Sequence, residues 1–265
     1  VWILLAVSLA TWLLSFPTKD TSWVDRIWSV VPAVYAWVWA SQSGFQDARL
    51  NVMACLITLW AARLTFNFAR KGGYRPGGED YRWEILSKAM KPWQFQLFNL
   101  GFIVIFQNAL LFAITLPMWV LAENGSKSVP FDGLDLWLTL LFLVLLSLET
   151  VADQQQWNFQ KFKKAQSAQG RQVNSGFATK GLFQFSRHPN FFAEFSQWWV
   201  VFLFAEVRVG LAGWDWLGAV VLTALFIGST RFTEGISASK YPQYADYQKR
   251  VSALIPWFPR RAGKA

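Results

Sequence analysis

The sequence predicts an all-α, polytopic membrane protein, with about seven transmembrane helices in one bundle and residues 1–265 forming one domain. Three observations predict this. Hydrophobic residues make up 54% of the chain and charged residues only 15%, well below the ~25% of soluble domains. Seventeen Trp and twenty-four Phe suit a lipid-facing surface bounded by two aromatic interfaces. Apolar stretches close to membrane length alternate with short polar connections.

In chain order, residues 1–16 form a first apolar span, read as a first helix, whole or truncated, because the chain opens on Val1. A polar turn, 17–26, leads to a second span, Ile27–Ser41, short at fifteen residues and containing Pro32 and Tyr35. A span this short is expected to tilt or to enter from the interface. Leu50–Ala69 is the third span. Its Arg63 and Asn67 are four apart and share a helix face, either snorkelling from the helix end or lining a polar cavity. The loop 70–93 holds two Gly-Gly pairs and Pro76, which permit tight turns and close backbone approach. No strand precedes it, so it is neither a Walker nor a Rossmann loop.

Leu97–Ala122 is the fourth span, with Gln107 and Asn108 near its middle. The fifth, Leu134–Thr150, continues into a helix where Glu149, Asp153, Gln156 and Gln160 recur at intervals of four, three and four. That stripe is either a solvated face or the wall of an internal site. After the polar segment 162–180 comes the stretch around which the chain is organised, Gly181–Trp199, reading GLFQFSRHPNFFAEFSQWW. It contains His188, the single histidine of the chain, and runs from a polar turn straight into the sixth span, Phe191–Ala205. Glu194 and Gln197 lie in the first turns of an apolar helix, where polar groups are costly and mark functional candidates. Arg187, His188 and Pro189 at its mouth read in two ways. They are interfacial anchors, with Glu194 pairing internally with an arginine, or they are an anion site at the positive end of a helix. Gly210–Thr230 is the seventh span. In the tail, 231–265, tyrosines at 241, 244 and 247 fall on one helical side, the pattern of a helix lying on a membrane.

Charge sets the expected topology. The connections after spans one, three, five and seven carry two, six, six and seven Lys or Arg, and the others one each. The positive-inside rule places the C-terminus in the cytoplasm, in a bacterial inner membrane or, for a eukaryote, the endoplasmic reticulum. The net charge of +9 is mostly this asymmetry and gives no reason to expect nucleic acid. A lone cysteine, Cys55, excludes an internal disulfide and argues against a cysteine-built metal site, so no metal is expected.

GLFQFSRHPNFFAE, with ETVADQQQ before it and KYPQYADYQKRVSALIP after it, resembles the C-terminal part of the steroid 5-alpha-reductase family. RLTFNFARKGGY with EDYRW narrows the resemblance to a mostly bacterial branch of unassigned substrate. It extends from Asp25 to Pro259. It implies a seven-helix membrane reductase that binds NADPH from the cytoplasm and reduces a carbon–carbon double bond conjugated to a carbonyl. Implied partners are a hydrophobic small-molecule substrate drawn from the bilayer and the membrane lipids themselves, with the chain acting as a monomer. Under the resemblance Asp153, Asn190 and Glu194 take cofactor-binding positions, Asn190 and Glu194 on the nicotinamide side. Arg231 and Tyr241 take the adenosine-phosphate side when one residue of spacing is allowed. Arg187, His188 and Lys240 are added as cofactor-binding candidates because a phosphate needs cations and bidentate donors.

The substrate side departs from that pattern. Ser29 and Val30 stand where a Gln-Glu pair is expected, and Trp60 where a Tyr is expected. The proton donor is therefore sought among Tyr35, Tyr74 and Tyr81. Two alternatives remain open. Isoprenylcysteine-type methyltransferases, which use S-adenosylmethionine, share an R-H-P motif and a C-terminal Arg and Glu. Here these are Arg187-His188-Pro189, Arg231 and Glu234, but Gly235 stands where a second acid belongs. The other alternative is a non-catalytic lipid-binding protein.

Overall fold

The structure is a computed structural model that describes residues 1–124, 130–171, 175–210 and 213–260. Helices dominate it. The β pairing among the described residues is one isolated parallel bridge, Ser186 to Ser252. Four helices are long and apolar enough to cross a membrane: Ala48–Arg70, Pro92–Ala113, Gly133–Ala168 and Leu217–Lys240. A shorter apolar helix, α1, covers Trp2–Thr18. The chain is an integral membrane protein by these helices, and they number four against the seven spans read from sequence.

The shortfall has local causes. The second expected span breaks into α2 (Trp23–Ile27) and α3 (Val30–Gln42). Thirteen helical residues rise only ~20 Å, short of a ~30 Å hydrocarbon core. The fourth expected span is one of these four, but it ends at Ala113 rather than Ala122. After α4 (Ala48–Arg70) and α5 (Tyr81–Ala89), α6 (Pro92–Phe98) passes into a π-helical run, Asn99–Phe106, and then α7 (Gln107–Ala113). A turn precedes α8 (Leu116–Glu123), whose early Pro117 lacks the N–H needed to continue the helix before it. Gly218 packs there so closely that a Cβ would lie 2.5 Å from the Ala113 carbonyl carbon. α9 (Gly133–Ala168) is the longest element at 36 residues, about 54 Å, far more than a bilayer core needs. α10 (Pro189–Val209) is long enough to span but carries Glu194, Glu206 and Arg208. α11 (Leu217–Lys240) and the short α12 (Tyr244–Arg250) close the chain.

The chain divides into two compact units. The first comprises Val1–Thr139 and Val201–Val221. Its core is the packing of α3 on α4, with Tyr35, Ala36, Trp39, Leu50, Ile57 and Trp60 buried. Polar side chains tie helices where water cannot help. Asn99 donates to the Ser15 hydroxyl at 3.2 Å, and the Ser29 and Thr65 hydroxyls meet at 2.7 Å. The strongest tie is ionic. Arg49 binds Asp135 through Nε at 2.6 Å and Nη2 at 2.8 Å, with both side chains at most 1% exposed. Arg208 adds bonds to Asp132 at 2.5 Å and Asp135 at 2.8 Å, while Asp47 caps α4 through the Arg49 and Leu50 N–H groups.

The second unit, Leu140–Val200 and Leu222–Ala265, holds the aromatic packing of Phe191 on Phe226 (4.9 Å between centroids) and a smaller core of Tyr244, Tyr247 and Val251.

Two consequences follow for the first unit. Asp135→Ala leaves the Arg49 guanidinium buried without its bidentate partner, a loss of roughly 3–5 kcal/mol. Thermal unfolding in detergent should show a clearly lowered midpoint, and an unchanged midpoint would mean that the pair is not clamping the helices. Asp25 is the pH-sensitive group. Burial raises its carboxyl from 3.8 to about 6, with Asp80 adding to the rise and the hydrogen bond from Trp83 Nε1 (2.8 Å) opposing it. The folded state thus holds this proton more tightly than the unfolded chain does, so its contribution to stability falls as pH rises from 3.8 to about 6. Asp25→Asn should flatten the thermal midpoint across that window; an unaltered slope would assign the pH response elsewhere.

Candidate functional site

Within the second unit, the Arg187-His188 motif is held by the chain's own tail. Ser186 and Ser252 form the parallel bridge. The Arg187 N–H donates to Ser252 O at 2.8 Å, and the His188 N–H to Ala253 O at 3.1 Å. The Ser186 hydroxyl donates to Leu254 O at 2.6 Å. On the side-chain level Glu234 of α11 collects the donors. Arg187 Nε and Nη2 reach its two oxygens at 2.5 and 2.9 Å. His188 Nε2 lies 3.1 Å from Oε1, and Gln248 Nε2 donates to Oε2 at 2.9 Å. Arg187 Nη1 donates to the Gln248 carbonyl at 3.0 Å and also to Val251 O. Each nitrogen of this guanidinium has a protein acceptor. Its partner is Glu234 rather than Glu194, and its forked edge faces a carboxylate instead of offering itself to a ligand.

The acidic stripe of α9 changes character along its length. Glu149 and Asp153 are buried, whereas Gln160 is exposed. Two acid–amide pairs join α9 to α10: Gln197 Nε2 donates to Glu149 at 2.7 Å, and Asn190 Nδ2 to Asp153 at 3.3 Å. Asn190, Glu194 and Gln197 recur at i, i+4 and i+7, which places them on one face of α10. Glu194 is buried there too, and the Gln197 amide oxygen has no hydrogen-bond partner among the described residues.

Farther along α9, Gln155, Asn158, Phe159, Phe162 and Gln166 wall a cavity of about 770 Å³, closed by Ser175, Phe177, Ala178, Thr179, Lys180 and Gly181. That volume is within the ~300–1,000 Å³ of small-molecule sites. The segment opposite α9 is pinned on both sides. Gln155 Oε1 accepts from the Leu182 N–H at 2.9 Å. Gly181 has φ +66°, and a Cβ there would lie 2.4 Å from that same oxygen. Lys163 Nζ donates to Gly176 O at 3.0 Å and to the Tyr241 hydroxyl at 2.6 Å. A Cβ on Gly176 would lie 2.0 Å from the Tyr241 ring. Phe177 stacks on Tyr247 (5.2 Å, 28°) and meets Tyr244 edge-on at 4.7 Å. The Tyr247 hydroxyl donates to Phe183 O. Burial pushes the Tyr244 and Tyr247 phenols well above their ordinary value, so both stay neutral packing groups. The tyrosine side of the tail therefore faces this segment.

The remaining candidates are dispersed. Arg231 and Lys240 are exposed and neither lines the cavity. In the first unit, Tyr35 is 2% exposed and its hydroxyl has no hydrogen-bond partner among the described residues. The Tyr74 hydroxyl donates to Arg26 O at 2.9 Å. The Tyr81 side chain lies outside the described residues. Sequence reasoning missed the cavity face. Its signal was present, since Gln155, Asn158, Phe159, Phe162 and Gln166 recur at helical spacing, one residue out of phase with the acidic stripe that drew the eye.

Comparison with known proteins places the chain in a family. The model of a family described as "Protein of unknown function (DUF1295)" matches residues 11–251, and the chain belongs to that family. An uncharacterized protein of Schizosaccharomyces pombe is 39% identical over 267 residues, which cover 92% of this chain and 75% of that protein. No solved structure matches. The match to this family overturns the resemblance to steroid 5-alpha-reductases. The geometry explains why the motifs misled. The R-H-P-N turn and the tail motif around Ser252 hold each other by backbone pairing and through Glu234, so their joint presence reports a structural clasp and not a particular reaction.

The clasp is testable. Glu234→Gln keeps shape and removes the charge that neutralises Arg187. The pair is 8–10% exposed, so the loss should approach, but not reach, the roughly 3–5 kcal/mol of a fully buried pair. The expected readout is faster tryptic cleavage at Lys249 and Arg250, with a lower thermal midpoint. Cleavage at the wild-type rate would show that the tail is held without Glu234.

Proposed function

We propose that this chain is a membrane-embedded, NADPH-dependent reductase, acting on a carbon–carbon double bond conjugated to a carbonyl in a lipophilic substrate taken from the bilayer. This chain's own residues support the nucleotide part of that reading. The observation that carries it is the cavity along α9, whose lining combines aromatic side chains, three amides, two hydroxyls and a lysine with no carboxylate. That set fits a ligand with flat rings, hydrogen-bonding edges and net negative charge, the chemistry of a phosphate-bearing nucleotide. S-adenosylmethionine carries a sulfonium and no phosphate, so a lining with a cation and no acid fits it poorly.

NADPH supplies a hydride when bound. The chain's residues then have two tasks. The buried acid–amide pairs Glu149–Gln197 and Asp153–Asn190 present preorganised polar groups able to orient a carboxamide, with the open Gln197 oxygen as an acceptor. The apolar helices exclude bulk water from a reducible centre. The Lys and Arg distribution, concentrated on alternate connections, supports a cytoplasmic C-terminus, on the same side as the soluble cofactor pool.

Equilibrium titration of the detergent-purified protein with NADPH, and separately with S-adenosylmethionine, tests this. NADPH should bind at micromolar concentration and S-adenosylmethionine should not. Binding of S-adenosylmethionine alone would replace the reductase with a methyltransferase, and binding of neither would leave a non-catalytic lipid-binding role.

A further inference from the structure

We infer that the α9 cavity takes the adenosine end of the cofactor and that Lys180 is the residue that reads its 2′-phosphate; this rests on the nucleotide reading of the same site. The cations near the site differ in what already holds them. Arg187 is saturated by Glu234 and by two backbone carbonyls. Lys163 is engaged by Gly176 O and the Tyr241 hydroxyl. Arg231 and Lys240 lie outside the lining. Lys180 is the cation among the lining residues, it is exposed, and no described residue bonds or pairs with it. Beside it stands Thr179, whose hydroxyl also has no hydrogen-bond partner among the described residues and can add a neutral donor to an anionic oxygen.

The backbone holds this pair in place. Lys180 is extended (φ −107°, ψ 165°) ahead of the 3₁₀ turn Gly181–Gln184, and its neighbours are tied down by the Gln155–Leu182 and Tyr247–Phe183 bonds. A cation on a preorganised segment gives up less conformational entropy on binding than one on a loose loop.

The aromatic and amide residues decide which part of the ligand enters. Phe177 already packs on three tyrosines, but Phe159 and Phe162 stack on no other ring among the described residues, and Phe162 is 52% exposed. Their faces are open to a base. Asn158 accepts from Gln154 through Oδ1 at 2.8 Å, which leaves its amide N–H groups for a ring nitrogen. The Gln166 side-chain amide has no bond to another described residue and can supply both a donor and an acceptor. Rings beside amide edges, with a lysine and a threonine hydroxyl at one margin, fit a purine ribonucleotide with a phosphate on its ribose.

The test uses the full chain in detergent and two fragments that lack the nicotinamide, adenosine 2′,5′-bisphosphate and adenosine 5′-monophosphate. Wild type should bind the bisphosphate at least about tenfold more tightly than the monophosphate, the effect of one charge-assisted contact. Lys180→Gln should abolish that preference while leaving monophosphate affinity and the thermal midpoint unchanged, since the side chain is exposed. Lys180→Arg should retain most of it. Preference preserved in Lys180→Gln would overturn the assignment of the phosphate to this lysine. NADPH binding by wild type without competition from the bisphosphate would overturn the placement of the adenosine end and leave the reductase reading standing. Failure of NADPH itself to bind would remove both.

Discussion

Glu234 is the group on which the arrangement of the second unit depends. It is the common acceptor for Arg187, His188 and Gln248, and these donors come from two parts of the chain: the turn before α10, and α12. A carboxylate with 8% exposure on an apolar helix is unfavourable unless its charge is matched. Here the match is a bidentate guanidinium, the geometry in which arginine outperforms lysine. Meeting that requirement also docks the tail, because the Arg187 that reaches Glu234 and the Gln248 carbonyl sits on backbone that runs beside 252–254. One electrostatic constraint therefore sets the position of the segment that leads into α10 and, through Tyr247 and Phe183, of the cavity wall before it.

The first unit solves a related problem differently. Arg49 and Asp135 are almost wholly removed from solvent, so their mutual attraction must offset the desolvation of both ions. The second arginine, Arg208, and the Pro130 carbonyl satisfy further lone pairs and protons, without which the pair would be a net liability. That unit also uses neutral pairs, such as Asn99 with Ser15 and Asn108 with Val104 O, which cost far less to bury.

Much of the fold was legible in the sequence because long apolar runs report their own environment. The third and fifth stretches appear as α4 and α9 with small shifts of boundary. What was illegible depended on length and backbone chemistry. Ile27–Ser41 reads as a span by composition, yet one helix ends at Ile27 and the next starts after Ser29. Leu97–Ala122 reads as one helix, although Pro117 and the turn at Ile114–Thr115 divide it. The site was legible only in part. The buried Glu149 and Asp153 were found because acids are conspicuous in an apolar helix. The partner of Arg187 was not found, because Glu234 lies 47 residues away and no periodicity links residues on different helices. Gln155 and Phe159 were passed over because amides and phenylalanines on a helix carry no charge to single them out.

The glycines of the cavity wall show what kind of site this is. Gly176 and Gly181 stand where a side chain would collide with Tyr241 and with Gln155 respectively, and Gly181 also has a left-handed φ. Glycines lose more backbone freedom on folding than any other residue. Their value lies in the approach they permit. Lys163 and Gln155 can close directly onto the backbone of 176–182 and hold it by two hydrogen bonds, with Tyr241 bonded to Lys163 behind them. A wall fixed in this way before a ligand arrives favours selection by shape and charge over closure around whatever enters. In such a site the identity of the unpartnered lining residues, rather than any movement of the segment, decides what is bound.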